Sequence, residues 1–148
     1  MGVFPLVIAV DTNVLVYAHR GESPFHDVAR ARLKSLAEGD TPWGIPIVAA
    51  WGFARVVTQP IFNPATAMST AIAAIDGLLT SASARVLTPG ARHWSLLREI
   101  ILSSQVRGAV TTDAVLVAIC REHGVDTILT NDRDFRRFSG IRVEPLAG

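Results

Sequence analysis

Four aspartates border the most apolar runs of the chain. Asp11 ends "VIAV", Asp113 opens "DAVLVAIC", and Asp132 follows "TILTN" with Asp134 two residues on. Taken singly, each is explained as a helix cap, because a carboxylate accepts from free backbone amides and suits the positive end of a helix. Taken together they point to metal chemistry. Carboxylates crowded into one pocket raise one another's pKa unless a cation neutralises them. A hard divalent ion such as Mg²⁺ or Mn²⁺ is the simplest remedy, since it takes oxygen ligands and keeps waters that a substrate phosphate can replace.

Such acids are useful only if the fold gathers them from distant parts of the chain. Val7–Val10 is a short, continuously apolar run, the pattern of a strand buried on both faces of a parallel sheet. Residues 13–19 read as helical. "SPFHDVARARLKSLAEG" reads as an amphipathic helix with Ser23 as cap, Pro24 at its first position and Gly39 as terminator. "PIVAAWGFARVVTQP" is expected to be a helix ending before Pro60, and "NPATAMSTAIAAIDGLL" another, capped by Asn63. "ARVLTP" and "VDTILTND" read as strands. Between them lie two helices, "GARHWSLLREIILSSQ" and "TTDAVLVAICREHG", the second closing at Gly124.

The resulting order, β, several α, β, α, α, β, α, β, predicts a three-layer α/β/α domain around a short, mostly parallel central sheet. In open sheets of this kind, sites form beyond the carboxyl ends of strands. Asp11 and Asp132 both fall there, and the first turn of the helix carrying Asp113 is expected to meet them.

The 148 residues are expected to form one domain, 1–148, without linkers. With 49% hydrophobic and 18% charged residues, the chain is too apolar for disorder, and some apolar surface is expected to meet a partner. A net charge of +1 excludes a generally basic coat, so nucleic-acid contacts must come from local cations. Cys120, the one cysteine, excludes an intrachain disulfide and a Cys-rich zinc site and is read as core packing in a cytoplasmic protein. The N-terminal apolar stretch stops too early, at Asp11, to be read as a signal peptide or a membrane span.

"VDTNVLVYA", "TTDAVLVAI" and "LTNDRDF", in this order, resemble the PIN-domain ribonucleases, specifically the VapC toxins of bacterial VapBC toxin–antitoxin pairs. The resemblance extends through "GFARVVTQPIF" to "FRRFSGIRVEPL". It implies a Mg²⁺- or Mn²⁺-dependent endoribonuclease acting on a structured cytosolic RNA such as tRNA or rRNA, homodimeric and held in check by a small VapB-like antitoxin. Carried over by position, the acidic ligands match Asp11, Asp113 and Asp132, with Asp134 as a nearby acid. Asn13 matches the polar residue that supports the first Asp, and Thr130 the hydroxyl residue preceding the third acid. One position departs from the family: where a Glu usually stands in the helix after the second apolar segment, this chain has Gly52.

Arg55 lies three residues beyond Gly52, on the same helical face, and is expected to reach toward a substrate phosphate. Arg133, Arg136 and Arg137 surround the last two acids in sequence and would supply local positive charge for RNA. Each is equally well read as a solvated surface cation. His93 and Trp94 are expected to pack at a helix start, and Trp51 and Phe53 to lie in the core or on a partner-facing surface.

Two other readings remain open at the level of sequence. A haloacid-dehalogenase-like phosphohydrolase also places Asp after its first strand and uses Mg²⁺, but it wants a second Asp where this chain has Asn13. A degenerate PIN domain that binds RNA or a partner without cutting would be compatible with Gly52.

Overall fold

The computed structural model describes residues 8–146. Val7, expected to begin the first strand, lies outside them. Five short strands form one sheet: β1 (Ile8–Val10), β2 (Trp43–Pro46), β3 (Ala84–Leu87), β4 (Thr127–Leu129) and β5 (Arg142–Glu144). Every pairing is parallel, in the spatial order β3-β2-β1-β4-β5. The helices are α1 (Thr12–His19), α2 (His26–Glu38), α3 (Ile47–Val57), α4 (Met68–Leu79), α5 (His93–Ser104) and α6 (Thr111–Glu122). Short 3₁₀ turns occupy Gly108–Val110 and Arg133–Arg137.

Strand order reverses between β1 and β4, and this single feature fixes both the layers and the site. The chain moves outward from β1 through β2 to β3, then returns past β1 to β4. Right-handed crossovers therefore put the helices of the two halves on opposite faces. Packing follows that division: α1 packs on α2 and α3, and α3 on α4, while α5 packs on α6. Helix α6 is buried almost all round, from Ala114 through Cys120, with Val115 alone half-exposed. That burial accounts for its unbroken apolar run.

The core is continuous from sheet to helices, with Trp43, Ile45, Phe53, Leu87, Ile119, Ile128 and Phe135 among its fully buried members. Cys120 lies within it, its thiol pushed up to about 12 by burial, which leaves it an inert packing group.

Three expectations are corrected. Strand β2, "WGIP", was hidden by a glycine and a proline, both poor strand formers. Gly44 is required there because an added Cβ would collide with the Leu87 side chain on β3. Helix α2 starts at His26 rather than Pro24. Ser23 does bond onward, but its hydroxyl accepts from the Phe25 amide at 3.1 Å and its carbonyl from His26, closing a tight turn ahead of the helix. Helix α4 starts at Met68 and not behind Asn63, because residues 58–66 fold back on α1. The Arg20 guanidinium donates to the Pro64 carbonyl at 2.9 Å and the Thr66 hydroxyl at 3.1 Å while lying over the Phe62 ring.

Candidate active site at the strand reversal

Asp11 is the residue after β1, Thr130 the residue after β4, and these neighbouring strand ends open into the crevice where the sheet order reverses. The Thr130 hydroxyl is buried and does two things at once. It donates to Asp11 Oδ2 at 2.8 Å and accepts from the Asp132 amide at 3.0 Å. One oxygen atom thus fixes the spacing of two acids that lie 121 positions apart in the chain (132 − 11). Asp132 in turn caps the turn that follows, its Oδ1 accepting from the Asp134 amide at 2.9 Å. Asp134 is exposed, and Arg137 Nη2 lies 3.5 Å from its Oδ1.

Asp11 is only 6% exposed. Burial pushes its pKa up, opposed by the Thr130 hydroxyl and by the Thr12 and Asn13 amides, and the Asp132 charge pushes it up further. Asp113 is half-buried in the first turn of α6, within electrostatic range of the other acids. Its pKa is raised to about 6, first by burial and then by the charges of Asp11, Asp132 and Asp134, with Arg137 acting against them. The four acids therefore share one electrostatic environment, and its sign is negative.

Among the described residues, no three Asp, Glu, His or Cys side chains stand close enough together to hold a metal ion as they are placed. The donor set nonetheless fits a hard divalent cation. It is made only of carboxylate oxygens, and burial first, then the neighbouring carboxylates, raises the pKa of Asp11 and Asp113, a cost to the ionised acids that a bound cation would offset.

The expected supporting residues divide. Asn13 is exposed at the start of α1, and the side-chain hydrogen bond to Asp11 comes from Thr130 in its place. Arg137 reaches the acids, whereas Arg133 and Arg136 stand exposed on the same turn. Arg55 is not gathered with them: its guanidinium lies over the Trp51 ring, 5.5 Å from the centroid, on the exposed side of α3. Gly52 is buried against α1, where an added Cβ would meet Thr12 Oγ1 at 3.0 Å and Cγ2 at 3.2 Å. Positions three apart share a helical face only to within about 60°, and here the long Arg55 side chain turns out to the solvent side with Trp51 while the Gly52 backbone stays buried. Phe53 is core and Trp51 is 63% exposed, while Trp94, expected to pack, is 67% exposed.

One neighbour of the site was not singled out in the sequence. The Tyr17 hydroxyl is raised in pKa by burial and then by the charges of Asp11 and Asp132, so it lies within electrostatic range of the acids. Its place four residues after Asn13, on the same helical stripe, was the available signal.

The family model for the PIN domain matches residues 8–141. Ribonuclease VapC43 of Mycobacterium tuberculosis is 40% identical over 144 residues, covering 96% of this chain and 97% of its own length. In fold, the chain resembles a solved complex, VapBC2 from Rickettsia felis bound to a DNA fragment from its promoter. The TM-score is 0.69 at 17% identity, covering 95% of this chain and 98% of that one. It also resembles Mycobacterium tuberculosis VapC20, a Sarcin-Ricin loop cleaving toxin, with a TM-score of 0.67 at 20% identity, covering 91% and 98%. Strand-end acids in a parallel α/β/α sheet and a 40% identical ribonuclease lead to the same assignment: the chain belongs to the PIN domain family, among the VapC ribonucleases.

Proposed function

We propose that this chain is a Mg²⁺- or Mn²⁺-dependent endoribonuclease toxin, a single domain over 1–148, that cuts a structured RNA such as a tRNA or rRNA. The observation that carries the reading is the Thr130 hydroxyl bridging Asp11 and the Asp132 backbone, with a half-buried Asp113 whose carboxylate feels the charges of both. Asp11, Asp113 and Asp132 would hold the ion, with Asp134 at the mouth. When bound, the ion supplies a Lewis acid for the scissile phosphate and a water of lowered pKa for in-line attack.

The chain's own residues do the positioning. Thr130 holds the Asp11 carboxylate in one orientation, and burial of Asp11 keeps competing water away from it. Arg137, with Arg133 and Arg136 on the same exposed turn, would receive the RNA phosphates flanking the cut. No side-chain nucleophile is required. Arg55 would act only on RNA that extends along α3, away from the acids.

For partners, we propose a small VapB-like antitoxin and a second copy of the chain. An apolar groove of about 530 Å³ runs between α2 and α4 over Leu15, Ala18 and Phe53, with Asp27, Arg30 and Lys34 on its α2 wall. Its apolar floor and mixed-charge rim suit an amphipathic helix of the antitoxin. The exposed apolar side chains Ile47 and Trp51 on α3 and Met68 and Ile72 on α4 form a separate face suited to self-association.

The test is induced expression followed by sequencing of new RNA 5′ ends, with Asp11→Asn as control. A discrete set of cuts, absent from the control, is expected. A reading as a non-cutting PIN domain, for which Gly52 is the motive, would be favoured by RNA that is bound but left whole.

A further inference from the structure

Tyr17 and Phe25 form an aromatic pair at the corner where α1 passes to α2, their ring centroids 5.0 Å apart and their planes tilted by 41°. The corner is pinned without help from the Phe25 ring. His26 Nδ1 bonds the Tyr17 carbonyl at 2.9 Å, and the Ser23 hydroxyl accepts from the Phe25 amide. Phe25 is consequently a large apolar side chain held in a fixed place yet 38% exposed. It also stands at the cap position of α2, where its side chain makes no capping bond.

Through Tyr17, the pair stands on the helix that begins at the acids. Tyr17 shares a helical stripe with the exposed Asn13, itself two residues beyond Asp11, and side chains on a helix lean toward its N-terminus. That direction carries the Tyr17 phenol toward the crevice, in keeping with the influence of Asp11 and Asp132 on it. The cations of the Arg133–Arg137 turn follow β4, so Asp132 separates them in sequence from the strand end.

We propose that the Tyr17–Phe25 pair is a stacking platform for one unpaired RNA base adjacent to the scissile phosphate. Single-stranded RNA is typically held by stacking its splayed bases on aromatic rings, and a partly exposed ring held in a fixed place is the form such a subsite takes. Because every base has a π-face, the platform would set where the strand enters more than which base is read. The inference rests on the ribonuclease reading, and it adds to that reading a binding subsite on the α1–α2 corner.

The experiment is photocrosslinking of the full chain, in EDTA so that the RNA stays whole, to a short oligouridine carrying 5-iodouridine. Peptide mass spectrometry then locates the adduct. An adduct on Phe25 or Tyr17 is expected. In parallel, Phe25→Ala and Phe25→Leu should weaken oligouridine binding by roughly 10-fold, the scale of one lost base stack, while Phe25→Trp retains it. Leucine separates stacking from packing, since it keeps the apolar bulk, and all three variants should melt within a few degrees of the parent. Adducts found only elsewhere, or a Phe25→Leu protein that binds as tightly as the parent, would overturn the platform. Metal-dependent cutting of RNA by the same preparation tests the ribonuclease reading separately. A chain that cuts RNA with no adduct at the corner rejects the platform alone.

Discussion

At the scale of single residues, Asp113 and Thr130 make opposite predictions from the same pocket. Asp113 has a folded pKa of about 6 against an ordinary 3.8, so between these values the folded chain binds more protons than the unfolded one. Stability is therefore lost as pH rises through that window, and the loss is complete above it. Asp113→Asn removes the repulsion. In EDTA at pH 7 to 8 its melting temperature should exceed the parent's by roughly 2–4 °C, the shift that about 1 kcal/mol gives a domain of this size once solvent screening of a half-exposed group is allowed for. The gain should vanish near pH 4, which a pair of melting curves will check. Thr130→Val does the reverse. It leaves a buried Asp11 oxygen and the Asp132 amide without their shared partner, at a cost of about 1–3 kcal/mol, and should reduce RNA cleavage roughly 10- to 100-fold by loosening a ligand. Unchanged cleavage by Thr130→Val would make the bridge a purely structural contact. Asp11, Asp113 and Asp132 stood out in the sequence as acids bordering apolar runs, whereas Thr130 entered only through the family resemblance. Tyr17 did not stand out, because nothing local distinguishes an aromatic facing a crevice from one facing the core.

At the scale of elements, the departure at Gly52 has a packing meaning. Helices α1 and α3 approach closely where Gly52 meets Thr12, the residue next to Asp11. Restoring an acid by Gly52→Glu would therefore crowd Thr12 before its carboxylate could reach a metal. A double-mutant cycle separates the two effects. Gly52→Ala alone sets a gain of about 1 kcal/mol in helix propensity against the clash, whereas in a Thr12→Ala background the gain should appear in full. Equal effects in both backgrounds, read from urea unfolding, would mean that Thr12 does not sense position 52. The elements were legible where burial and pattern agree, as in the amphipathic α5 and the wholly apolar run of α6. They were missed where backbone chemistry overrode pattern. Strand β2 forms from "WGIP" because Trp43 and Ile45 are wholly buried, despite Gly44 and Pro46. The start of α4 slid past Pro64 because Arg20 holds that segment against α1.

At the scale of the whole molecule, the reversal of strand order brings the two most informative sequence motifs together, and the fold was readable to that extent from the order of elements. Which outer faces remain apolar was not, since Trp51 and Phe53 sit two residues apart with opposite exposures. If the α3–α4 face joins two copies, Trp51→Arg with Ile72→Arg should convert a dimer to a monomer by light scattering without lowering the melting temperature measured at high dilution. The central claim is that the pocket of Asp11, Asp113 and Asp132 is a divalent-metal ribonuclease site. It is tested most directly by following cleavage of purified tRNA and rRNA by the purified chain during a Mn²⁺ titration, beside Asp113→Asn as a folded control. Cleavage that is absent in EDTA, rises to saturation with Mn²⁺ and is lost in the variant is the result predicted. Cleavage that persists in EDTA, or that Asp113→Asn retains at saturating Mn²⁺, would contradict it.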